Sequence, residues 1–266
     1  MTLNSKHFIN ARDVKCDEEL AGLVQKSLQE YKYVIVRSLD IDVKGIQESV
    51  DRFVQLASKV GTLENHTQNN SLVWHVKNQP LSNSKVSTFS EHSDEAILHT
   101  DTQYRDNPED YIALCMLKGA DCGGGQTYLL PLDEIYEELY SLPDGEAILA
   151  TLRHDSYPFI VPSVFKKNGQ GGDEFTYGSI LNEDTIRFRV DTLEKGIYVH
   201  KELISQNAIA AFNVLKSIVT TSKKIKRVSL TPGDILFLDN KRCLHGRSAF
   251  KDNARHLLRL RMNRFA

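Results

Sequence analysis

Short apolar segments separated by turn residues recur along the chain, and they limit the kind of fold that it can adopt. Valine, isoleucine, leucine and aromatic residues are concentrated in these segments, and glycine, proline, asparagine or aspartate stands between them. This pattern is typical of buried β-strands that are bounded by turns. The clearest segments are 33–37, 71–77, 111–117, 126–130, 226–230, 235–238, 243–245 and 257–262. We therefore expect a protein that is built mainly from short strands.

Helical periodicity interrupts these strands at several places, where apolar residues recur at spacings of three and four. The predicted helices are 17–31, 43–60, 131–140 and 201–222. Further short strands are predicted at 152–154, 159–161, 174–177 and 185–190. Many short strands with a few helices indicate an α+β protein that is mainly β with flanking helices, around a barrel or jelly-roll core. No repeat, linker or change of composition divides the chain, so residues 1–266 are expected to form a single domain.

Charge and hydropathy restrict the partners of the protein. A formal net charge of −2 argues against nucleic acids and anionic membranes, because both bind markedly basic surfaces. No apolar run approaches the roughly 18 residues of a membrane span, and the N-terminal residues lack the apolar core of a signal peptide. We expect a cytoplasmic protein whose partner is a small molecule, and the sequence does not predict its oligomeric state.

A histidine and an aspartate follow the short apolar segment 96–98. Because side chains alternate along a strand, His99 and Asp101 are expected to point to the same side. Their imidazole and carboxylate can bind one cation together and leave room for a third ligand, as in the facial triad of non-haem iron(II) sites. The alternative interpretation is a hydrogen-bonded histidine at the end of a strand.

A second pair of the same kind, His92 and Asp94, lies seven residues upstream in the polar segment 90–95. This segment has no apolar alternation and therefore predicts a loop. A loop has no core residues that would anchor a histidine, so His99 and Asp101 are the better candidates for a metal site.

A third ligand and a row of arginines are predicted near the C-terminus. The apolar strand 235–238 and a polar turn lead into a strand that ends at His245, which can return towards His99. Arg255, Arg259 and Arg261 are expected to share one face of the strand that follows. A buried guanidinium is costly unless it meets an anion, and its planar fork matches a carboxylate. Pairing with surface acids is the alternative interpretation.

Together these motifs resemble the iron(II)- and 2-oxoglutarate-dependent dioxygenases of the taurine dioxygenase family. The matching segments are His99–Asp101, Gly123–Thr127, Gly233–Arg247 and Arg255–Arg259. Within this family, the sequence is more similar to the clavaminate synthase-like branch, which includes carbapenem synthase and hydroxylases of free amino acids. The resemblance extends over roughly residues 30–264. It implies a double-stranded β-helix, with a jelly-roll, cupin-like core.

The resemblance also implies a role for each motif. The implied iron ligands are His99, Asp101 and His245. Arg255 would bind the distal carboxylate of 2-oxoglutarate with help from the Thr127 hydroxyl, and Arg259 would lie near the oxalyl end or the anion of the substrate. Fe(II), 2-oxoglutarate and O₂ are implied as cofactor and cosubstrates, and succinate and CO₂ as products. The carboxylate of Asp101 argues against a halogenase, which has a small residue at this position.

The implied substrate is an amino acid or a related small molecule, whose carboxylate Arg259 could bind. The candidates for its amino group are Glu91, Asp94 and Glu95. Trp74 is a candidate for the pocket wall, with a core tryptophan as the alternative, and Tyr104, in the loop after Asp101, is a candidate for a lid over the iron. A solvated loop is the alternative interpretation of the three acids.

Hydroxylation of an unactivated C–H bond is the expected reaction, and desaturation or ring closure in natural-product biosynthesis would use the same ligands. A non-catalytic barrel that binds a small anion through Arg255 and Arg259 is a second interpretation. A zinc hydrolase with the same three ligands is a third. The arginine pair disfavours the hydrolase, because it suits a dicarboxylate cosubstrate.

Overall fold

Two facing β-sheets form the centre of the structure, a computed structural model that describes residues 5–39, 41, 45–66, 70–78, 92–162, 173–251 and 253–266. The strands are β1 (Phe8–Asn10), β2 (Tyr33–Arg37), β3 (Thr62–Glu64), β4 (Trp74–Lys77), β5 (Ala96–His99), β6 (Tyr111–Lys118), β7 (Thr127–Pro131), β8 (Tyr157–Val161), β9 (Glu174–Gly178), β10 (Lys226–Val228), β11 (Ile235–Asp239), β12 (Cys243–Arg247) and β13 (His256–Asn263). The helices are α1 (Asp17–Tyr31), α2 (Ile46–Val60), α3 (Leu132–Tyr140), α4 (Gly145–His154), α5 (Val190–Val199) and α6 (Gln206–Thr221).

Strands that are neighbours in a sheet are often distant from each other in the sequence. The larger sheet has the order β1-β2-β11-β6-β13-β3, and β4 also pairs with β13. The smaller sheet has the order β10-β7-β12-β5, while β8 and β9 form a separate hairpin. Among the described pairs, β1 and β2 run parallel and the others antiparallel. Two facing sheets with such crossovers confirm the predicted mainly β, jelly-roll core with flanking helices.

Apolar residues on both faces of the central strands explain why those strands appear as continuous apolar runs. In β2, Tyr33 and Ile35 belong to the core between the two sheets. Val34 and Val36 point the other way, into a second core. Strands that are covered on both faces need apolar residues at successive positions rather than at alternate ones.

Helices cover the outer face of each sheet. Helices α1 and α2 pack on the larger sheet, and helices α3 to α6 pack on the smaller one. Leu98 of β5 and Leu244 of β12 point into the outer core of the smaller sheet. Their neighbours His99 and His245 therefore point inward, between the sheets. None of the described helices is both long enough and apolar enough to cross a membrane.

Two of the strands predicted between 152 and 200 are wrong. Residues 152–154 form the last turn of α4, because Leu149 and Leu152 share one buried helical face. Over 185–190, Ile186 makes an isolated bridge to Leu181, and Val190 already begins α5. A short apolar run fits a helix turn as well as a strand, so periodicity did not separate them. The strands predicted at 159–161 and 174–177 are confirmed as β8 and β9.

Two predicted helix boundaries also shift. The helix predicted from 201 begins at Gln206, because the Ser205 side chain accepts a hydrogen bond from the backbone N–H of Ala208 and caps it. The helix predicted from 43 is described from Ile46 onward, and residues 42–44 lie outside the described part of the chain.

Candidate metal centre

Two adjacent strands of the smaller sheet bring the three predicted metal ligands together. Strands β5 and β12 pair antiparallel, with His99 directly opposite His245. Residues that face each other across an antiparallel pair project from the same side of the sheet. Asp101 lies just beyond the end of β5, two residues after His99, and its side chain returns to that side. Sequence-distant residues thus converge because one strand pair has this register.

The three side chains converge on a single point. Candidate ligand atoms of His99, Asp101 and His245 all lie within 4.8 Å of one another. Asp101 Oδ1 is 3.5 Å from His99 Nε2 and 3.8 Å from His245 Nε2. His99 Nδ1 lies 2.8 Å from the carbonyl oxygen of Ile97. Donation by Nδ1–H to this carbonyl leaves the Nε2 lone pair free for a cation.

The electrostatic environment keeps the carboxylate ionised. Burial alone would raise the pKa of Asp101, but Arg259, His99, His245 and Arg261 together hold it well below its ordinary value. Arg259 Nη1 lies 3.0 Å from Asp101 Oδ2 and Arg261 Nη2 lies 4.0 Å from it. An ionised carboxylate is the form that binds a divalent cation.

His245 has the complementary protonation state. Burial, together with the nearby charges of His99 and Arg259, lowers the pKa of His245 to about 3. Its imidazole is therefore neutral near pH 7, as metal binding requires. Two imidazoles and one carboxylate on one side of a cavity fit the facial triad of a non-haem iron(II) site.

A row of side chains from β13 and the residue before it lines the same cavity. Its members are Arg255, Leu257, Arg259 and Arg261. Arg255 is 5% exposed, and its Nε has no hydrogen-bond partner among the described residues. Burial and the nearby Arg247 lower the pKa of Arg255 to about 9, so it stays charged at neutral pH. A buried, charged fork with an unsatisfied N–H fits an anionic group such as the distal carboxylate of 2-oxoglutarate.

The glycine-rich segment before β7 makes room for this arginine. Gly125 has a φ of +73°, and a Cβ at this position would lie 2.7 Å from Arg255 Nε. A larger residue would therefore displace the guanidinium as well as strain the backbone. Thr127, the first residue of β7, is buried and lines the cavity together with Arg255. Its hydroxyl can thus share an anionic group with that guanidinium.

The predicted substrate residues separate into two groups. Trp74 and Tyr104 line the cavity. Glu95 lines a smaller neighbouring pocket, and Asp94 has an exposed side chain outside both. The acid predicted at Glu91 lies outside the described residues.

Hydrogen bonds to the backbone of His92 and Asp94 explain why the side chains of this pair do not reach the metal site. Arg247 donates two hydrogen bonds, to the carbonyl oxygens of His92 at 3.0 Å and of Asp94 at 2.6 Å. The side chains of both residues stay outside the cavity. These contacts hold the segment 92–94 by its backbone, as expected of a loop.

His66 is a cavity residue that the sequence analysis did not identify. It is 3% exposed and lines the cavity, with Nε2 3.4 Å from the carbonyl oxygen of Arg259. Burial, together with the charges of Arg259 and Arg261, lowers its pKa to about 3. His66 lies in a polar segment without strand or helix periodicity, so the sequence gives no signal for its burial.

The fold is shared with solved oxygenase structures of low sequence identity. One is asparagine oxygenase in complex with Fe(II), 2S,3S-3-hydroxyasparagine and succinate, with a TM-score of 0.70 and 16% identity over 92% of this chain and 78% of that chain. Another is the non-heme iron oxygenase OrfP in complex with Fe, succinate and (3S)-hydroxy-L-Arg, with a TM-score of 0.67 and 20% identity over 95% and 83% of the two chains. OrfP in complex with Fe and alpha-ketoglutaric acid has a TM-score of 0.67 and 19% identity over 92% and 81%.

Family membership rests on the sequence rather than on these structures. None of the curated protein sequences matches the chain. The profile of one protein family matches residues 5–261, which include the triad and the arginine row. The chain is therefore a dioxygenase that belongs to the taurine catabolism dioxygenase TauD, TfdA family.

Proposed function

We propose that the protein is an iron(II)- and 2-oxoglutarate-dependent oxygenase that hydroxylates an unactivated C–H bond of a free amino acid or an amino-acid-derived small molecule. The observation that supports this most directly is the convergence in one cavity of the His99, Asp101 and His245 donors with Arg255, whose buried Nε has no hydrogen-bond partner among the described residues. Succinate and CO₂ would be released with the product.

Three residues would hold the iron and two would hold the cosubstrate. His99, Asp101 and His245 offer ligands on one side of the cavity, which leaves the other side open for 2-oxoglutarate and O₂. Arg255 and Thr127 would bind the distal carboxylate. Bound iron would activate O₂ as the oxidant, with one oxygen atom used in the oxidative decarboxylation of 2-oxoglutarate to succinate and CO₂ and the other in hydroxylation of the substrate. These cofactors agree with the dioxygenase family and with the Fe and alpha-ketoglutaric acid in OrfP.

The remaining cavity residues would position the reactants and keep water out. Arg259 neutralises the buried Asp101 carboxylate at 3.0 Å and holds it in one orientation. Apolar and aromatic side chains complete the wall, and they include Trp74, Tyr104, Leu114 and Leu257. Excluding water strengthens the electrostatic contacts inside the cavity and limits side reactions.

The charges around the cavity support a substrate with a carboxylate. Among the described lining residues, Asp101 is the one carboxylate, whereas the arginines are Arg189, Arg247, Arg255, Arg259 and Arg261. With Arg255 assigned to the cosubstrate, the acid group of the substrate would bind beside Arg259, which also pairs with Asp101 at 3.0 Å, and Arg261, which also lies 3.6 Å from Glu109 Oε1. Amino-acid ligands also appear in the neighbours, as hydroxyasparagine in asparagine oxygenase and hydroxy-L-Arg in OrfP.

The finer features of the function stay proposals from the sequence. A single domain of residues 1–266 and a cytoplasmic location are proposed from the sequence, and the formal net charge of −2 supports a small-molecule partner rather than a nucleic acid. Desaturation and ring closure need the same ligands as hydroxylation, so product analysis would separate the three reactions.

Succinate formation tests the proposal. Free amino acids and their derivatives would be screened with Fe(II), 2-oxoglutarate and O₂ for those that stimulate succinate release and gain one oxygen atom. His99→Ala and Asp101→Ala should each abolish turnover, because each removes a metal ligand. His92→Ala is the matched control, since His92 lies outside the cavity, and it should retain wild-type turnover. Full turnover in either ligand variant would refute the proposed triad.

The excess of arginines also favours a second candidate, a non-catalytic protein that binds a small anion. Anaerobic addition of Fe(II) and 2-oxoglutarate separates the two, because chelation of iron by 2-oxoglutarate produces a visible charge-transfer band. The band should appear in the wild-type protein and be absent in Asp101→Ala. Anion binding without this band would support the second candidate, and tightly bound zinc without iron-dependent turnover would support a hydrolase.

A further inference from the structure

Asp101, whose carboxylate is a candidate metal ligand, lies in a backbone segment outside the hydrogen-bonded pairing of the sheet. Strand β5 ends at His99, and the N–H of Thr100 already donates out of the strand pair, to the carbonyl oxygen of Phe188 at 2.8 Å. Asp101 therefore lies beyond the last pairing between β5 and β12. Its backbone polar groups are buried and need partners from elsewhere.

One side chain satisfies both backbone groups of Asp101. The N–H of Asp101 donates to Asn240 Oδ1 at 2.8 Å, and Asn240 Nδ2 donates to the carbonyl oxygen of Asp101 at 3.1 Å. This two-bond pattern is the one that a neighbouring strand would provide through its peptide groups. The Asn240 amide thus replaces the missing strand neighbour at the position of the metal ligand.

Asn240 is itself held rigidly. It is 1% exposed and begins the turn between β11 and β12, where its backbone N–H donates to the carbonyl oxygen of Asp110 at 2.8 Å. The second hydrogen of Nδ2 reaches the carbonyl oxygen of Glu109 at 3.0 Å. Both amide hydrogens are used, so the side chain has one orientation that satisfies its contacts.

The segment after Asp101 needs such a restraint. Thr102 has a φ of +52°, a left-handed conformation that a β-branched residue rarely adopts. Its hydroxyl donates to the carboxylate of Glu109, the residue whose carbonyl oxygen Asn240 binds. Asn240 therefore ties the two ends of the turn 101–109 together and keeps this strained backbone in place.

The two histidine ligands do not depend on Asn240. His99 and His245 face each other within the β5–β12 pairing, and His99 has its own contact to the Ile97 carbonyl. Loss of the Asn240 amide should therefore release the carboxylate ligand and leave both imidazoles in position.

We propose that Asn240 is a positioning residue for metal binding, which acts by fixing the backbone of Asp101 through both of its peptide hydrogen bonds. The proposal rests on the metal centre proposed above. It predicts that replacing the Asn240 amide raises the dissociation constant for the metal ion while the protein stays folded.

Titration of the metal-free protein with Co(II), followed by visible absorption, tests this role. Asn240→Asp keeps the shape but places a carboxylate oxygen against the carbonyl oxygens of Asp101 and Glu109, and Asn240→Ser removes the amide. Each variant should bind Co(II) about 10- to 100-fold more weakly, the usual effect of losing a residue that orients a metal ligand. The Co(II) spectrum should change as well, because the carboxylate ligand is displaced.

Asn263→Asp provides a matched control. Asn263 Oδ1 accepts from the N–H of Asp110 at 3.3 Å, and its Nδ2 donates to Glu64 Oε1 at 2.9 Å, away from the metal ligands. This variant should lower the urea midpoint of the metal-free protein without altering Co(II) affinity or spectrum. A similar loss of stability in the Asn240 variants with wild-type Co(II) binding would overturn the proposal.

The remaining outcomes are also decisive. If both Asn240 variants fail to fold, the residue serves the fold itself and the positioning role is refuted. If the wild-type protein does not bind Co(II), the metal centre and this inference fail together. If the wild-type protein binds Co(II) and Asp101→Ala binds it more weakly, the centre stands, and the Asn240 variants alone decide the inference.

Discussion

Arg255 is the residue that we propose for binding the distal carboxylate of the cosubstrate, and the backbone beside it determines where its guanidinium can lie. The side chain passes over Gly125, where no Cβ is present and the backbone is left-handed. Gly125 therefore contributes to the site because it leaves space for the Arg255 side chain. Its effect can be measured without changing any residue that would contact the cosubstrate.

Gly125→Ala should weaken binding of 2-oxoglutarate. The new methyl group would lie 2.7 Å from Arg255 Nε, and alanine at a φ of +73° costs about 1–2 kcal/mol of backbone strain. A displacement worth about 1.4 kcal/mol at the guanidinium would raise the dissociation constant about tenfold. Calorimetric titration of the metal-loaded protein with 2-oxoglutarate under anaerobic conditions measures this change. Gly119→Ala is the matched control, because nothing lies within 4 Å of its added methyl group. Equal affinities in both variants would contradict the role of Gly125.

Residue types and their spacing predicted the three candidate metal ligands and the arginines of the cavity, but they did not predict Asn240 or His66. His99, Asp101, His245 and the arginines form motifs in which chemically informative residues recur at strand spacing. Asn240 and His66 act on the backbone of sequence-distant residues, Asp101 and Arg259 respectively. A contact to a backbone peptide group does not require a particular residue type in the partner, so the structure reveals it and the sequence does not.

At the scale of secondary structure, the pairing of β5 with β12 determines the geometry of the metal site. The register is regular at His245 and shifts before Arg247, with Gly246 between them. A Cβ on Gly246 would lie 2.6 Å from the carbonyl oxygen of Ala96 and 3.0 Å from the N–H nitrogen of Leu98. The two strands can approach this closely because one of them has a glycine here.

Gly246→Ala should therefore damage both the strand pair and the metal site. Pushing β5 away would cost about 1–3 kcal/mol, as overpacking in a core usually does. It would also move His99 away from His245, so Co(II) should raise the melting temperature less than it does in the wild-type protein. Gly22→Ala on α1 is the control, because its methyl group meets no atom within 4 Å and alanine favours a helix. An unchanged thermal shift with Co(II) would show that β5 tolerates the added group.

Predictions of strands succeeded at the continuous apolar runs 33–37 and 235–238 and failed at 152–154 and 185–190. The strands at 33–37 and 235–238 were evident because both of their faces are buried. The run at 152–154 has too few residues to distinguish a strand from a helix turn. Its assignment to α4 depends on packing against α6, a contact between elements that lie far apart in sequence.

At the scale of the whole molecule, local and overall charge differ in sign. The formal net charge is −2, yet arginines predominate among the charged residues around the cavity. Burying these guanidinium groups costs stability that the cores must offset. Occupation of the cavity by an iron-bound dicarboxylate and an acidic substrate would complement that charge, so ligands should stabilise the protein by mass action.

Burial of His66 in this cavity makes the free energy of unfolding depend on pH. Its ordinary pKa of 6.5 applies in the unfolded chain, whereas burial and the nearby arginines lower it to about 3 in the native protein. Between these values the unfolded state binds a proton that the native state does not. The contribution of His66 is thus fully present above the unfolded pKa and is lost progressively as the pH falls towards 3.

This linkage can be measured as a difference between two variants. From pH 7 to pH 5, the free energy of unfolding of the wild-type protein should fall by up to about 2 kcal/mol more than that of His66→Asn, which has no imidazole to protonate. Urea denaturation at the two pH values gives this difference. His154→Asn, which removes an exposed imidazole at the end of α4, is the reference for the loss of a histidine outside the cavity. If His66→Asn loses as much stability as the wild-type protein, His66 is not the buried neutral group that its contacts with β13 require.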